Sequence, residues 1–189
     1  EQAAALSAQA YARLKQQPAV CMAASGPGVI NLTTGMANAL IDCAPVVAVG
    51  GSSSIHQFGR QTFQEIDQVA IMRGCTKWTQ QVIEIRRIPE IVNTAFQKAM
   101  GGKPGPVYLD MPADILYGKV PEEEVDWSLS GRPLLNARPL GEAARVNQLI
   151  DALGKATGQS PPASAMASIT GRASPDSLSV VNQQGARGS

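Results

Sequence analysis

Residues 19–51 read "AVCMAASGPGVINLTTGMANALIDCAPVVAVGG", and the fold turns on this stretch. "AVCMAA" (Ala19 to Ala24) is a short apolar run bounded by Pro18 and a Ser-Gly-Pro-Gly turn, the pattern of a buried strand. Val29, Leu32, Thr33, Met36, Ala37, Leu40 and Ile41 then recur at helical spacing, until Asp42 to Pro45 end the helix. "VVAVGG" gives a second buried strand, closing on two glycines. Continuous apolar runs, rather than alternation, are what a parallel sheet covered on both faces requires.

Working outward, Glu1 to about Gln16 predicts a helix, with Ala3, Leu6, Ala10 and Leu14 as its apolar stripe. A loop runs from Gly50 to about Glu65, followed by a mixed segment. Ile91, Val92, Ala95, Phe96, Ala99 and Met100 mark another amphipathic helix. "GGKPGPVYLDMPADI" reads as a glycine cap, a turn and the strand "PVYLDM". Strand alternating with helix predicts an α/β fold, an open parallel-sheet sandwich. Its ligand-bearing loops belong at the carboxyl ends of the strands, where SGPG, GGSSS and the residues after "YLD" fall.

Past Pro112 the sequence turns polar and proline-punctuated, with a helix predicted from about Gly141 to Leu153. From Thr157 on it is rich in Ser, Ala, Gly and Pro, a composition that predicts disorder. The expected organisation is a first domain over residues 1–127, a linker and the start of another domain over 128–155, and a disordered tail over 156–189.

Composition narrows the function classes. Hydrophobic content of 44% and charged content of 16% suit a globular core, and a net charge of +1 draws the chain to neither nucleic acid nor a membrane surface. No apolar run approaches a membrane span of roughly 20 residues. Cys21, Cys43 and Cys75 share no metal-ligand spacing and read as inert thiols of a reducing, intracellular compartment, cytoplasm or organelle.

Singly, the chemistry-bearing motifs are weak. A glutamate at a helix start is usually a surface residue complementing the helix dipole. SGPG is either a tight turn or an anion nest; it is neither a Walker loop nor the dinucleotide fingerprint. His56 is the only histidine and lies in a polar loop, without a second set of metal or triad partners. "PEEEVDW" reads as a solvated acidic stretch.

Taken in order, "EQAAALSAQAYAR", "SGPGVINLTTGMANALIDCAPVVAVGG", "FQEIDQVAI", "TKW" and "GKPGPVYLDMPADI" resemble the N-terminal pyrimidine-binding domain of thiamine-diphosphate enzymes. The likeness is to the acetolactate synthase and 2-hydroxyacyl-CoA lyase branch, and it covers Glu1 to about Trp127. It implies that Glu1, in a mostly apolar cleft that raises its proton affinity, accepts a hydrogen bond from N1′ of the aminopyrimidine. The imino tautomer so favoured takes the C2 proton of the thiazolium, and the cofactor then carries the chemistry. Pro27 and Gly28 match the loop bordering the pyrimidine, where a missing side chain lets backbone approach closely. Asn31 either orients that loop or serves as an ordinary helix N-terminal residue. Phe63 and Gln64 match the family's "FQ" pair, with Gln64 able to donate to a cofactor-bound intermediate or a substrate oxygen; packing is the alternative role for Phe63.

The resemblance also implies what this stretch lacks. The diphosphate and Mg²⁺ are held in the family by another domain, through a Gly-Asp-Gly…Asn motif that does not occur here. The site forms between chains, so a homo-oligomer or an intact homologue is the expected partner. With Glu1 where a start methionine would stand, the expectation is a fragment of a larger enzyme, inactive alone. A change of reading frame near Lys155 is the expected origin of the tail, and an inactive dimerisation or regulatory fragment is the rival reading.

Two reactions compete: cleavage of a 2-hydroxyacyl-CoA, and joining of 2-keto acids as acetolactate synthases do. "GGSS" (50–53) and "PAD" (112–114) look like the lyase branch, which is the preferred expectation. "YAR", "NLTTGMA", "ALID" and "TKW" look like the synthases. Lys103 stands where the synthases' FAD-contacting arginine would be, which disfavours FAD, since lysine lacks the planar fork.

Overall fold

The computed structural model describes residues 1–128 and 143–155. The chain divides into two units, Glu1–Ala137 and Arg138–Ser189. The first holds helix α1 (Gln2–Lys15), strand β1 (Ala19–Ala23), α2 (Pro27–Ile41), β2 (Val46–Ser52), α3 (Gln68–Arg73), β3 (Trp78–Gln81), α4 (Ile88–Met100), β4 (Val107–Pro112) and the short α5 (Ala113–Tyr117). The second holds α6, Ala143–Lys155, two residues further along than its periodicity places it. The tail expected to be disordered lies outside the described residues.

All strand pairings are parallel, and the sheet order is β1-β2-β4-β3. Two apolar layers pack on it. One joins α1 and α2 to Cys21, Val46, Ala48 and Tyr108; the other joins α4 to Val47, Val107, Leu109 and Met111. Thus β4 is buried along its whole length, as the run "PVYLDM" predicts.

Two expectations fail on particular faces. Strand β1 is buried on one side only: Val20 and Met22 are 51% and 67% exposed, because β1 is the sheet's edge and α4 lies over β2 and β4. The apolar stripe expected on α1 also faces outward, with Leu6 37% and Leu14 84% exposed. Its buried face is instead Ala5, Ala8, Gln9 and Ala12. The cause is a close helix crossing. A Cβ on Gly35 of α2 would stand 2.5 Å from the Ala5 Cβ and 2.8 Å from Leu6 N, so only alanine and glycine fit the contact. Further along, Asp42 at the end of α2 accepts from Gln9 Nε2 at 2.6 Å and pairs with Arg13 at 2.7 Å, holding α1 in register.

The segment that reads only as mixed contains α3 and β3. Asp67 caps α3 by accepting from Ala70 N at 3.0 Å. Strand β3 is polar, "WTQQ", because it forms the other sheet edge and one wall of a cleft. Among the described residues no helix is long and apolar enough to cross a membrane.

Candidate cofactor half-site

Parallel strands bring their carboxyl ends to one edge of the sheet, and the expected loops meet there. The SGPG turn enters α2 with Gly26 as N-cap at φ 62° and Pro27 in the first turn. Gln64, itself at φ 60°, packs on that glycine, and Ser25 Oγ donates to Gln64 Oε1 at 3.0 Å.

On the α2 side stands Glu1. Its Oε2 accepts from Asn31 Nδ2 at 3.3 Å, one turn into α2. Its Oε1 lies over Gly28, where a Cβ would come within 3.4 Å of it. Ala23 and Ala24 complete this small-residue floor. Glu1, Asn31 and Pro27 are exposed in this chain, while Gly28 is buried. The apolar cleft expected around the Glu1 carboxylate is therefore not made by this chain's own residues.

On the other side of Gln64 opens a cleft of about 1000 Å³. Its walls include Ser52, Gln64, Gln68, Thr79, Gln81 and Asp110. Glu1 and Gly28 do not line it, so Gln64 is the predicted site residue that faces both regions. Phe63 is 86% exposed and packs little against the rest of this chain. Glu65 shapes this loop: its carboxylate accepts from Gly59 N and, at 2.9 Å, from Thr62 N, and these bonds hold its pKa below the usual carboxylate range.

Beneath both regions lies a buried polar network. The two N–H groups of Gln68 Nε2 are shared among three acceptors, Gly51 O at 2.7 Å, Tyr108 Oη at 2.8 Å and Asp110 Oδ1 at 2.5 Å. Tyr108 Oη donates to Asp110 Oδ1, and Ser52 Oγ and Gln81 Nε2 donate to Asp110 Oδ2, all at 2.7–2.8 Å. No buried side-chain polar atom among the described residues lacks a partner. Motif and periodicity do not single these residues out, although one signal is present: Asp110 is an acid inside an otherwise apolar strand.

His56 is exposed, and Asp114 Oδ1 accepts from the Ile55 backbone N–H at 3.1 Å beside it. Among the described residues no three His, Cys, Asp or Glu side chains gather as metal ligands do. All three cysteines are free; Cys21 and Cys75 are buried and Cys43 half-buried.

Burial sets an alkaline limit on stability. It pushes the Cys21 thiol up to about 11, and burial with the neighbouring Asp110 pushes Tyr108 above the usual phenol range. Both are neutral acids with raised folded-state values. Their contribution is whole below the unfolded values of about 8.5 and 10 and is lost as pH climbs. Lys77 opposes this, its partly buried ammonium held below the usual range by desolvation and Lys98. Urea unfolding should show stability falling above pH 9, by up to about 1.4 kcal/mol per unit from Cys21 alone. Constant stability from pH 8 to 10.5 would contradict the burial.

Fold and site define an α/β domain that offers one carboxylate over a glycine floor at the carboxyl edge of a parallel sheet. Residues 1–71 match the family described as "Thiamine pyrophosphate enzyme, N-terminal TPP binding domain". Acetolactate synthase, mitochondrial, of Schizosaccharomyces pombe is 41% identical over 138 residues, 73% of this chain and 20% of that protein. Acetolactate synthase isozyme 2 large subunit of Escherichia coli is 45% identical over 115 residues, 61% of this chain and 21% of that protein. The 2-hydroxyacyl-CoA lyase of Arabidopsis thaliana is 36% identical over 126 residues, 67% of this chain and 22% of that protein. The chain spans about a fifth of the length of these curated relatives.

Proposed function

We propose that this chain supplies the aminopyrimidine-facing half of a thiamine diphosphate site, in an enzyme that makes or breaks a carbon–carbon bond beside a carbonyl. The observation that carries this is the Glu1 carboxylate, held by Asn31 and standing over Gly28. The fit is chemical: a flat ring can lie against a floor without side chains, and a carboxylate beside it accepts an N–H. Glu1 would hold the hydrogen bond and its proton, Gly28 and Pro27 would border the ring, Asn31 would orient the carboxylate, and Gln64 would reach from the turn toward the cleft. Thiamine diphosphate, when bound, supplies the carbon nucleophile and electron sink that such reactions need. Mg²⁺, the diphosphate contacts and a partner subunit belong, on this reading, to parts of the enzyme other than these residues.

Of the two reactions, we favour joining of 2-keto acids, as in an acetolactate synthase. Identities of 41–45% to acetolactate synthases, against 36% to the lyase, support it. The residues that look like the lyase also carry scaffold bonds. Ser52 bonds Asp110, Ser53 accepts from Thr62 at 3.2 Å, and Asp114 holds the Ile55 N–H. Cleavage of a 2-hydroxyacyl-CoA is the second reading, supported by the lyase match over 67% of this chain.

Calorimetric titration of the chain with thiamine diphosphate and Mg²⁺ tests the half-site. Losing a charge-assisted hydrogen bond, Glu1→Gln should weaken binding about tenfold to a hundredfold. The melting temperature should stay unchanged, since Glu1 is exposed. Equal binding by the two proteins, or none by the parent chain at millimolar cofactor, would overturn the assignment.

A further inference from the structure

We propose that Gln68 is the positioning residue of this half-site: its carboxamide, oriented by Asp110, fixes the Gly26–Gly28 turn on which Glu1 stands. This rests on the thiamine diphosphate reading given above.

A carboxamide has two ends of nearly the same shape and opposite hydrogen-bonding character, so its orientation is set by what surrounds it. At Gln68, 2% exposed, the surroundings permit one answer. The Nε2 end meets Gly51 O and Asp110 Oδ1, both acceptors, and Tyr108 Oη, whose own proton is committed to Asp110. The Oε1 end is therefore turned to the buried N–H of Gly26, which it accepts at 2.8 Å. Gly26 is the N-cap of α2, Pro27 brings no N–H, and Gly28 lies under Glu1 Oε1. An acidic side chain in β4 is thus read by a residue of α3, which sets the turn that aligns α2 with Glu1. The hydrogen bonds of Gln68 go to Gly26, Gly51, Tyr108 and Asp110 and not to Glu1 or Asn31, so its effect on the site passes through the backbone of the turn.

The test is amide hydrogen exchange, followed by NMR on the full chain. Gln68→Leu should speed exchange at Gly26 about tenfold or more, the effect of losing one buried hydrogen bond, with the Gly28 and Asn31 signals shifting alongside. Core amides such as Ala48 and Leu109 should change less than twofold. Gln68→Glu provides a second measurement should the leucine variant unfold. Tyr108 and Asp110 of β4 are the titratable groups bonded to this side chain; the SGPG turn and Gly51 present only backbone and hydroxyl groups. In its protonated form the Gln68→Glu carboxyl keeps a donor for Asp110 and an acceptor for Gly26, whereas its ionised form opposes Asp110. Protection of Gly26 should be near that of the parent at pH 5 and drop about tenfold beyond the intrinsic pH effect by pH 7.5.

Unchanged Gly26 exchange in both variants would overturn the proposal, and so would core amides loosening in step with Gly26. Thiamine diphosphate with Mg²⁺ is then titrated into the same samples. Failure of the parent chain to bind counts against the cofactor reading alone and leaves exchange to decide the role of Gln68. A leucine variant that binds as the parent does, with Gly26 freed, sinks the positioning role.

Discussion

Asp110→Ala should lower the unfolding free energy by about 3–5 kcal/mol, the order expected when several donors lose the one buried acceptor they share. Asp110 is 1% exposed and accepts from four side-chain donors: Gln68, Tyr108, Ser52 and Gln81. Alanine leaves the Tyr108 hydroxyl facing a small void without its acceptor and takes one acceptor each from Gln68, Ser52 and Gln81, and a buried donor without a partner costs about 1–3 kcal/mol before relaxation. Asp110→Asn should recover only part of the loss, because its amide end presents hydrogens to groups that already donate. Urea unfolding of the three proteins is the measurement. A change under about 1 kcal/mol in the alanine variant would mean that water replaces the carboxylate, and the network would lose its structural role.

Gly26→Ala should be the most damaging single-methyl addition at the site, costing about 2–4 kcal/mol. Two independent penalties meet there. At φ 62° and ψ −116° the backbone is in a region almost reserved for glycine. The new Cβ would also stand 2.9 Å from the Gln64 Cβ and closer still to the Gln64 carbonyl oxygen, and backbone does not swing aside as a flexible side chain can. Gly59→Ala separates the two, since Gly59 has φ 78° with nothing within 4 Å of its Cβ position. It should cost about 1 kcal/mol, the conformational penalty alone. If the two variants melt together, the contact between the SGPG turn and Gln64 is loose. If Gly26→Ala is much the worse, that contact is tight, and the variant should lose thiamine diphosphate binding as well.

How much of this is legible in the sequence follows from the range of the forces involved. Strands β1, β2 and β4 announce themselves as apolar runs between turn residues, and α2 and α4 as apolar repeats, because those signals are local. Glu1, Gly28 and Asn31 lie together at the start of α2, and Gln64 reaches the SGPG turn. The buried face of α1 departs from its apolar stripe because burial there follows the closeness of α2 rather than side-chain hydrophobicity. Ala5 lies against Gly35, and the larger Leu6 and Leu14 are turned out. Strand β3 escapes the apolar pattern because an edge strand lining a cleft carries Gln and Thr where a central strand carries Val. The bonds of Gln68 to Gly26 and Asp110 join residues 42 apart in each direction, and no periodicity encodes them.

The same all-parallel order has a kinetic consequence. With no hairpin among the described residues, there is no cheap first strand pair. Ala19 meets Val46 across 27 residues, Trp78 meets Val107 across 29, and Val47 meets Val107 across 60. Each closure gives up chain entropy before any ladder forms, the circumstance that slows folding in topologies of high contact order. The longest closure joins the two sheet halves, and it carries Asp110 to Gln68 and so to the SGPG turn. The turn under Glu1 therefore depends on the contact of greatest sequence separation in the sheet, and the place for a cofactor is fixed by the same closure that joins the sheet halves.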